Sequence, residues 1–219
     1  MKILALEFSS PQRSVAVVQR DASQPKGIAL SEIIESGNTA PFQMIDDALR
    51  DAKLEREQIE CIAVGIGPGS YTGIRSAISI AQGWQLARNI KILGLSSAEC
   101  IAAQAHTEGL SNRANVIIDA QRDEFYLTTY EIAQEGHREI TPLKIVPLSE
   151  VQQHANARES LIGPEVTRWI PTGKTIFPRA ATLATLALNR TDYIAGEKLE
   201  PIYLRETKFV KAPPPRTFS

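Results

Sequence analysis

Apolar positions along the chain follow two rhythms: short runs and alternations at strand spacing, and longer stretches that recur every three to four residues. Lys2 to Phe8 and Arg13 to Gln19, the latter built on Val15, Val17 and Val18, read as strands joined by a turn at Ser9-Ser10-Pro11-Gln12. A third strand, about Ile28 to Ile34, follows the turn region Asp21 to Gly27 and completes an antiparallel meander. Pro41 then opens a helix whose apolar face is Phe42, Ile45, Ala48, Leu49 and Ala52. The run Ile59 to Ile66 reads as a buried strand that stops at Gly67-Pro68-Gly69, where only residues tolerant of special backbone angles fit. Helical spacing resumes from about Gly73 to Asn89, and a strand at Lys91 to Leu95 closes the unit.

The order then repeats. Ser96-Ser97-Ala98-Glu99 has capping-box spacing and starts a helix running to about His106, and the polar stretch Thr107 to Arg113 separates the halves. Strands follow at Asn115 to Asp119, Glu124 to Ile132 and Leu143 to Val146, then a helix from about Ser149. Short strands at Leu161 to Gly163 and Thr175 to Phe177 precede a last helix, Ala180 to Asn189. Two successive units of meander, helix, strand and helix predict two related α/β lobes, residues 1–108 and 109–199, with the segment 200–219 packing back on the first. That tail begins extended, with Tyr203 and Leu204 as anchors and Arg205 pairing with an acid or meeting a partner, and ends in Pro213-Pro214-Pro215.

The turn between strand and helix is the first candidate for chemistry. Gly67, Gly69, Ser70, Thr72 and Gly73 would aim backbone N–H groups and the positive end of a helix dipole at one point, a site for an anion or nucleotide phosphate. The stretch lacks the Lys-Ser/Thr ending of a Walker loop and the Gly-x-Gly-x-x-Gly fingerprint, so a purely structural tight turn is the competing reading. Each lobe's first strand ends in an acid, Glu7 and Asp119. In a cleft between lobes these would hold a hydrated metal and the groups of a nucleotide; alternatively, each orders its own turn through backbone hydrogen bonds.

The helix after the turn has too little polar face for an ordinary surface helix. Ile74, Ile78, Ala81 and Gln85 line one side, Ala77, Ile80, Trp84 and Ala87 another, with Ser76, Ser79 and Gly83 between. Such a helix is covered twice, by its own sheet and by a second layer, and small residues let another helix approach to roughly 8 Å. One reading makes Ile45, Leu49, Ile74, Ala77, Ile78, Ala81 and Gln85 a partner interface. The other buries the helix completely in its own chain.

Composition narrows the classes. With 219 residues the chain can bury a sizeable core, and 24 Lys plus Arg against 25 Asp plus Glu, a net charge of -1, imply no basic field for nucleic acid. Cys61 and Cys100 match no metal or redox spacing and read as buried thiols in a reducing cytosol. No apolar run nears the roughly 20 residues that span a bilayer, and Glu7 comes too soon for a signal peptide, so a cytoplasmic protein is expected. His106, His137 and His154 stand singly, without an i, i+4 partner to make a metal pair.

Gly67-Pro68-Gly69-Ser70-Tyr71-Thr72-Gly73-Ile74-Arg75 resembles the TsaB (YeaZ) family, bacterial partners in making threonylcarbamoyladenosine in tRNA. The resemblance extends to Ile3-Leu4-Ala5-Leu6-Glu7-Phe8-Ser9-Ser10, Gly94-Leu95-Ser96-Ser97, Ile118-Asp119-Ala120-Gln121-Arg122 and Pro201-Ile202-Tyr203-Leu204-Arg205. It implies a two-lobed actin-like, sugar-kinase-like ATPase (ribonuclease H-like) fold, with mixed sheets flanked by helices. It also implies a non-catalytic subunit without cofactor or metal. That subunit pairs with the related catalytic TsaD through first-lobe helices, works with the ATPase TsaE and meets tRNA only through the complex; the apolar helix face itself would favour a symmetric homodimer when the chain is alone. TsaD transfers the threonylcarbamoyl group to N6 of adenosine 37 in tRNAs reading codons that begin with A. Its His-x-x-x-His metal pair has no counterpart in Gly94 to Ile101. Two positions depart from the family: Glu7 stands where relatives usually carry Asp, and Ser36-Gly37-Asn38-Thr39 lacks the usual His-Ser. The alternatives are an ATP-binding phosphotransferase or ATPase using the cleft and, as the third, a metalloprotease.

Overall fold

The computed structural model describes residues 1–20, 28–36, 40–157 and 159–204. The turn 21–27, Gly37-Asn38-Thr39 and the tail from Arg205 onward, including its prolines, lie outside the described residues. The first unit comprises β1 (Lys2–Glu7), β2 (Gln12–Arg20), β3 (Ile28–Ser36), α1 (Pro41–Asp51), β4 (Cys61–Gly65), α2 (Tyr71–Arg88), β5 (Lys91–Leu95) and α3 (Ser97–Thr107). The second comprises β6 (Asn112–Asp119), β7 (Glu124–Ala133), β8 (Gly136–Pro147), α4 (Leu148–Asn156), β9 (Ser160–Gly163), β10 (Lys174–Thr175) and α5 (Ala180–Ala187).

The two sheets follow one path twice, β3-β2-β1-β4-β5 and β8-β7-β6-β9-β10. In each, only the second strand of the meander runs antiparallel to the rest. This is the α/β pattern of ribonuclease H-like and actin-like folds, mixed sheets flanked by helices. Strand alternation sorts the cores. Leu4, Leu6, Val15, Val17, Ile62 and Val64 face α1 and α2, whereas Ile3, Ala5, Ala16, Val18 and Ala63 face α5.

A boundary after residue 108 falls between the sheets, and two helices cross it in opposite directions. α3, encoded before the second sheet, packs Ala98, Ile101, Ala102 and Ala105 onto that sheet. α5, encoded after it, returns to the first sheet through Ala180, Leu183, Ala184 and Ala187, and α3 and α5 touch each other. The layers therefore run α1 and α2, first sheet, α5 and α3, second sheet, α4. Small residues on both sides of the α5 contact allow the close approach.

α5 starts where the first lobe supplies acceptors. Ser14 Oγ accepts from Ala180 N at 2.8 Å and Glu32 Oε1 from Ala181 N at 2.9 Å, so β2 and β3 satisfy two free amides of a helix from the other half. Ser14→Ala is expected to cost about 1 kcal/mol, read as a melting temperature lower by about 2–4 °C. An unchanged value would mean that α5 does not depend on this cap.

Departures from the sequence reading have local causes. β8 spans 12 residues rather than Leu143 to Val146, because an edge strand with one wet face carries His137, Arg138 and Glu139 and obscures its own pattern. Phe42 is 58% exposed, and Met44 takes the buried place beside Ile45, Ala48 and Leu49. Among the described residues no helix is long and apolar enough to cross a membrane.

Candidate functional site

The glycine turn is built by crowding. Ser70 caps α2, its Oγ accepting from Gly73 N at 3.3 Å. Ser70 N donates to Ser9 O at 2.7 Å, and Gly67 N donates to Ser97 Oγ at 3.2 Å while Gly67 O accepts from Ser97 N at 2.8 Å. The turn is thus stitched to the end of β1 and the start of α3. A Cβ at Gly69 would stand 2.1 Å from Ser9 O, and one at Gly73 2.0 Å from Phe8 O, which explains both glycines without a ligand.

The two acids repeat one motif. Glu7 Oε1 accepts from Ser9 N at 2.8 Å, and Asp119 Oδ1 accepts from Gln121 N at 2.7 Å, so each orders the turn that follows its strand. Glu7 Oε2 takes the Ser97 hydroxyl at 2.9 Å, and Asp119 Oδ2 takes the Gln121 side-chain amide at 2.9 Å. Glu7 is fully buried, and burial raises its pKa above the ordinary carboxylate value. The paired-acid arrangement read from the sequence is corrected here, since Glu7 lies under the surface and only Asp119 reaches the cleft.

That cleft, about 1910 Å³, lies between the first hairpin, the start of α2 and the second hairpin. Of the anion candidates it contains Gly69, Ser70 and Asp119; Gly67 and Gly73 are buried and Thr72 lies exposed on α2. Its more conspicuous side chains are Arg13, Arg75, Arg122, Tyr71 and Tyr203. Tyr71 and Tyr203 stack with centroids 5.7 Å apart, Arg75 lies 4.2 Å from the Tyr71 centroid, and Arg75 Nε donates to Tyr203 Oη at 3.1 Å. Tyr203 and Leu204, read from the sequence as anchors of the tail, are 43% and 42% exposed; Tyr203 makes the ring contacts above, and Ile202 N donates to Ile66 O at 2.9 Å. Arg75 and Arg122 were legible only as parts of Gly73-Ile74-Arg75 and Asp119-Ala120-Gln121-Arg122, and Arg13 only as the start of a strand, with no signal that the three converge.

The partner face named from the sequence is also corrected. Ile45, Leu49, Ile74, Ala77, Ile78 and Ala81 are buried in their own chain's core. The second cover of α2 is the segment around Ile194 to Leu199: Gln85 Oε1 accepts from Gly196 N at 2.6 Å, its Nε2 donates to Ile90 O at 2.9 Å, and Gln82 Nε2 donates to Gly196 O at 2.8 Å. What stays open on α2 is a different strip, Thr72, Ser79, Gly83, Leu86 and Ala87. Leu86 is 90% exposed, and a Cβ at Gly83 would have no atom within 4 Å.

The remaining candidates are dispersed. His106 faces Gln134 O, His137 faces Glu99 and His154 faces Glu159. Cys61 and Cys100 are both buried as free thiols, and burial pushes Cys61 up to about 12. Among the described residues no three His, Cys, Asp or Glu side chains gather into a metal-binding group.

A family model described as "TsaD: tRNA N6-adenosine threonylcarbamoyltransferase" matches residues 36–200. The chain is 28% identical to the tRNA threonylcarbamoyladenosine biosynthesis protein TsaB of Escherichia coli, covering 94% of this chain and 95% of that one. It is 27% identical to the protein of the same name from Haemophilus influenzae, over 97% and 98%. A solved structure of YeaZ from Pseudomonas aeruginosa superposes with a TM-score of 0.77 at 26% identity, covering 93% of this chain and 99% of that one.

Proposed function

The chain belongs to the family which that model describes and, within it, to the TsaB (YeaZ) proteins of tRNA threonylcarbamoyladenosine biosynthesis; on that premise we propose that it is a non-catalytic scaffold that docks a TsaD subunit on the outer strip of α2. In this reading TsaD forms N6-threonylcarbamoyladenosine at position 37 of tRNAs reading codons that begin with A, TsaE joins as a third subunit, and tRNA is met only through the complex. Without TsaD the same strip pairs two copies of the chain in the cytoplasm.

Gly83 carries the proposal. A glycine inside an exposed helix costs about 1 kcal/mol relative to alanine, and no neighbour in its own chain requires it. Beside it, Leu86 leaves almost its whole side chain in water. A helix from another subunit, seated at the roughly 8–10 Å of close packing, accounts for both features. The commitment of Glu7 and Asp119 to their own turns supports leaving the chemistry to the partner.

Purified chain is expected to co-elute with its TsaD-type subunit in gel filtration. Leu86→Glu should abolish co-elution without lowering the melting temperature, whereas Gly83→Ala should raise that temperature by about 2–4 °C and weaken association. Association indifferent to Leu86→Glu would exclude this strip, and no association of the wild-type chains would end the scaffold reading.

A further inference from the structure

We propose that β3 pairs with β3 of a second copy of this chain, antiparallel about a two-fold axis at Ser31, joining two first-lobe sheets edge to edge. The inference does not rest on the scaffold reading, since α2 covers β1, β4 and β5 while β3 lies at the far edge of the same sheet. It begins from how the chain treats the edges of its two sheets. A free edge accepts another strand, and proteins blunt it by shortening it, covering it, bending it with a bulge or arming it with Pro and Lys. β10 has only two residues. β5 is covered, its Ile92 O accepting from Ile194 N at 3.0 Å. β8 carries Pro142, Lys144 and Pro147 and breaks its register with β7 around Thr129.

β3 has none of these devices. It runs nine residues in unbroken register with β2, without Pro or Lys, and among the described residues no strand pairs with its outer side. Three large aliphatic side chains stand open on it, Ile28 at 45%, Leu30 at 49% and Ile34 at 38%. They share the face that α5 approaches, because Glu32, on the same alternation, accepts from Ala181 N and pairs with Arg179. Glu32 does not guard the edge, since its side chain is 7% exposed and spent inside its own chain.

The order of residues in β3 matches the strand to itself. With the two-fold axis at Ser31, Ile28 lies opposite Ile34 of the partner subunit and Ala29 opposite Ile33 of the partner subunit, each pair occurring twice by symmetry. Leu30 then lies opposite Glu32 of the partner subunit and no two like charges face each other. The adjacent registers lose this match. An axis at Glu32 would set two carboxylates face to face, and one at Leu30 would carry Ile33 and Ile34 past the end of the opposing strand. Once two copies have joined, this edge is used up and the contact closes at two.

The test uses the full chain carrying Leu86→Glu, which removes contact through the α2 strip and so separates this proposal from the scaffold reading. In analytical ultracentrifugation at high micromolar concentration it is expected to sediment as a dimer. Adding Ile28→Lys or Ile34→Glu should weaken that dimer by at least about tenfold with circular dichroism unchanged. Adding both should restore it, since the new charges are opposite and face each other across the axis. Ser31→Cys should give a disulfide-linked dimer on mild oxidation, and Ala29→Cys, whose two copies stand several residues apart, should not. The native Cys61 and Cys100 are buried and do not compete. A Leu86→Glu chain that stays monomeric leaves the edge to a strand of another protein and overturns the proposal. So does a dimer indifferent to Ile28→Lys and Ile34→Glu, or one cross-linked through Ala29→Cys rather than Ser31→Cys.

Discussion

Gly73→Ala is expected to destabilise the protein by about 3 kcal/mol or more, with Gly69→Ala close behind. The new Cβ at position 73 would lie 2.0 Å from Phe8 O and 3.2 Å from Ser70 Oγ, and the nearest of these is backbone that cannot rotate away. Nor can the end of β1 retreat, because Ser70 N holds Ser9 O at 2.7 Å and Glu7 holds Ser9 N at 2.8 Å. At Gly69 a 2.1 Å approach to Ser9 O combines with φ of 144°, so alanine meets both a clash and a disfavoured backbone. Urea unfolding measures the loss. The contrast with Gly83 is the sharper test, since the same substitution ten residues further along the same helix should stabilise. If both glycines respond with the same sign, crowding at the β1 end is not what fixes the turn.

Glu7→Gln is expected to stabilise the protein at neutral pH and to make no difference in acid. Burial, the dominant cause, raises the Glu7 pKa in the folded state above its ordinary value of 4.5. The folded state therefore holds this proton more firmly than the unfolded chain does. The stability contributed by protonated Glu7 is fully present below the unfolded value and is lost as pH rises through the raised folded value. Glutamine keeps an acceptor for Ser9 N and is never charged. The variant should gain about 1 kcal/mol over wild type near neutral pH, and the gap should close as pH falls toward 4.5. Glu99 and Glu159, held below the ordinary range chiefly by His137 and His154, lose their contributions at acid pH in both proteins and cancel from the difference. A gap that does not vary with pH would show that the carboxylate is not the source.

Which parts of this structure were legible in the sequence follows from range. Strand alternation, the Ser96-x-x-Glu99 cap and the glycine turn are local, and apart from β8, which starts seven residues early, the elements they predict formed within a few residues of the expected ends. The duplicated sheet order was legible as a repeated element order. The exchange of α3 and α5 was not, because nothing local in Ala180 to Ala187 says which sheet its alanines will meet. The same gap misled the reading of α2. Its excess of apolar positions is real, but the second cover is supplied by Ile194 to Leu199, more than a hundred residues downstream. The true outer strip carries weak hydrophobic signal, one leucine among small and polar residues. Glu7 and Asp119 were recognised as ends of equivalent strands, and of the two roles considered for them the local one, ordering the next turn, is what the hydrogen bonds show. Arg13, Arg75 and Arg122 come from three distant segments, and only the folded chain brings them to one cavity.

The crossing of α3 and α5 also sets when this protein can fold. As the chain leaves the ribosome amino end first, every strand of the first sheet has emerged long before Ala180 to Ala187, the helix that roofs one of its faces. Ile3, Ala5, Ala16, Val18 and Ala63 must wait uncovered until Ala180 to Ala187 has been made. Domain-by-domain folding during synthesis is therefore closed to it, and a nascent fragment that ends before residue 180 is the species a chaperone would meet.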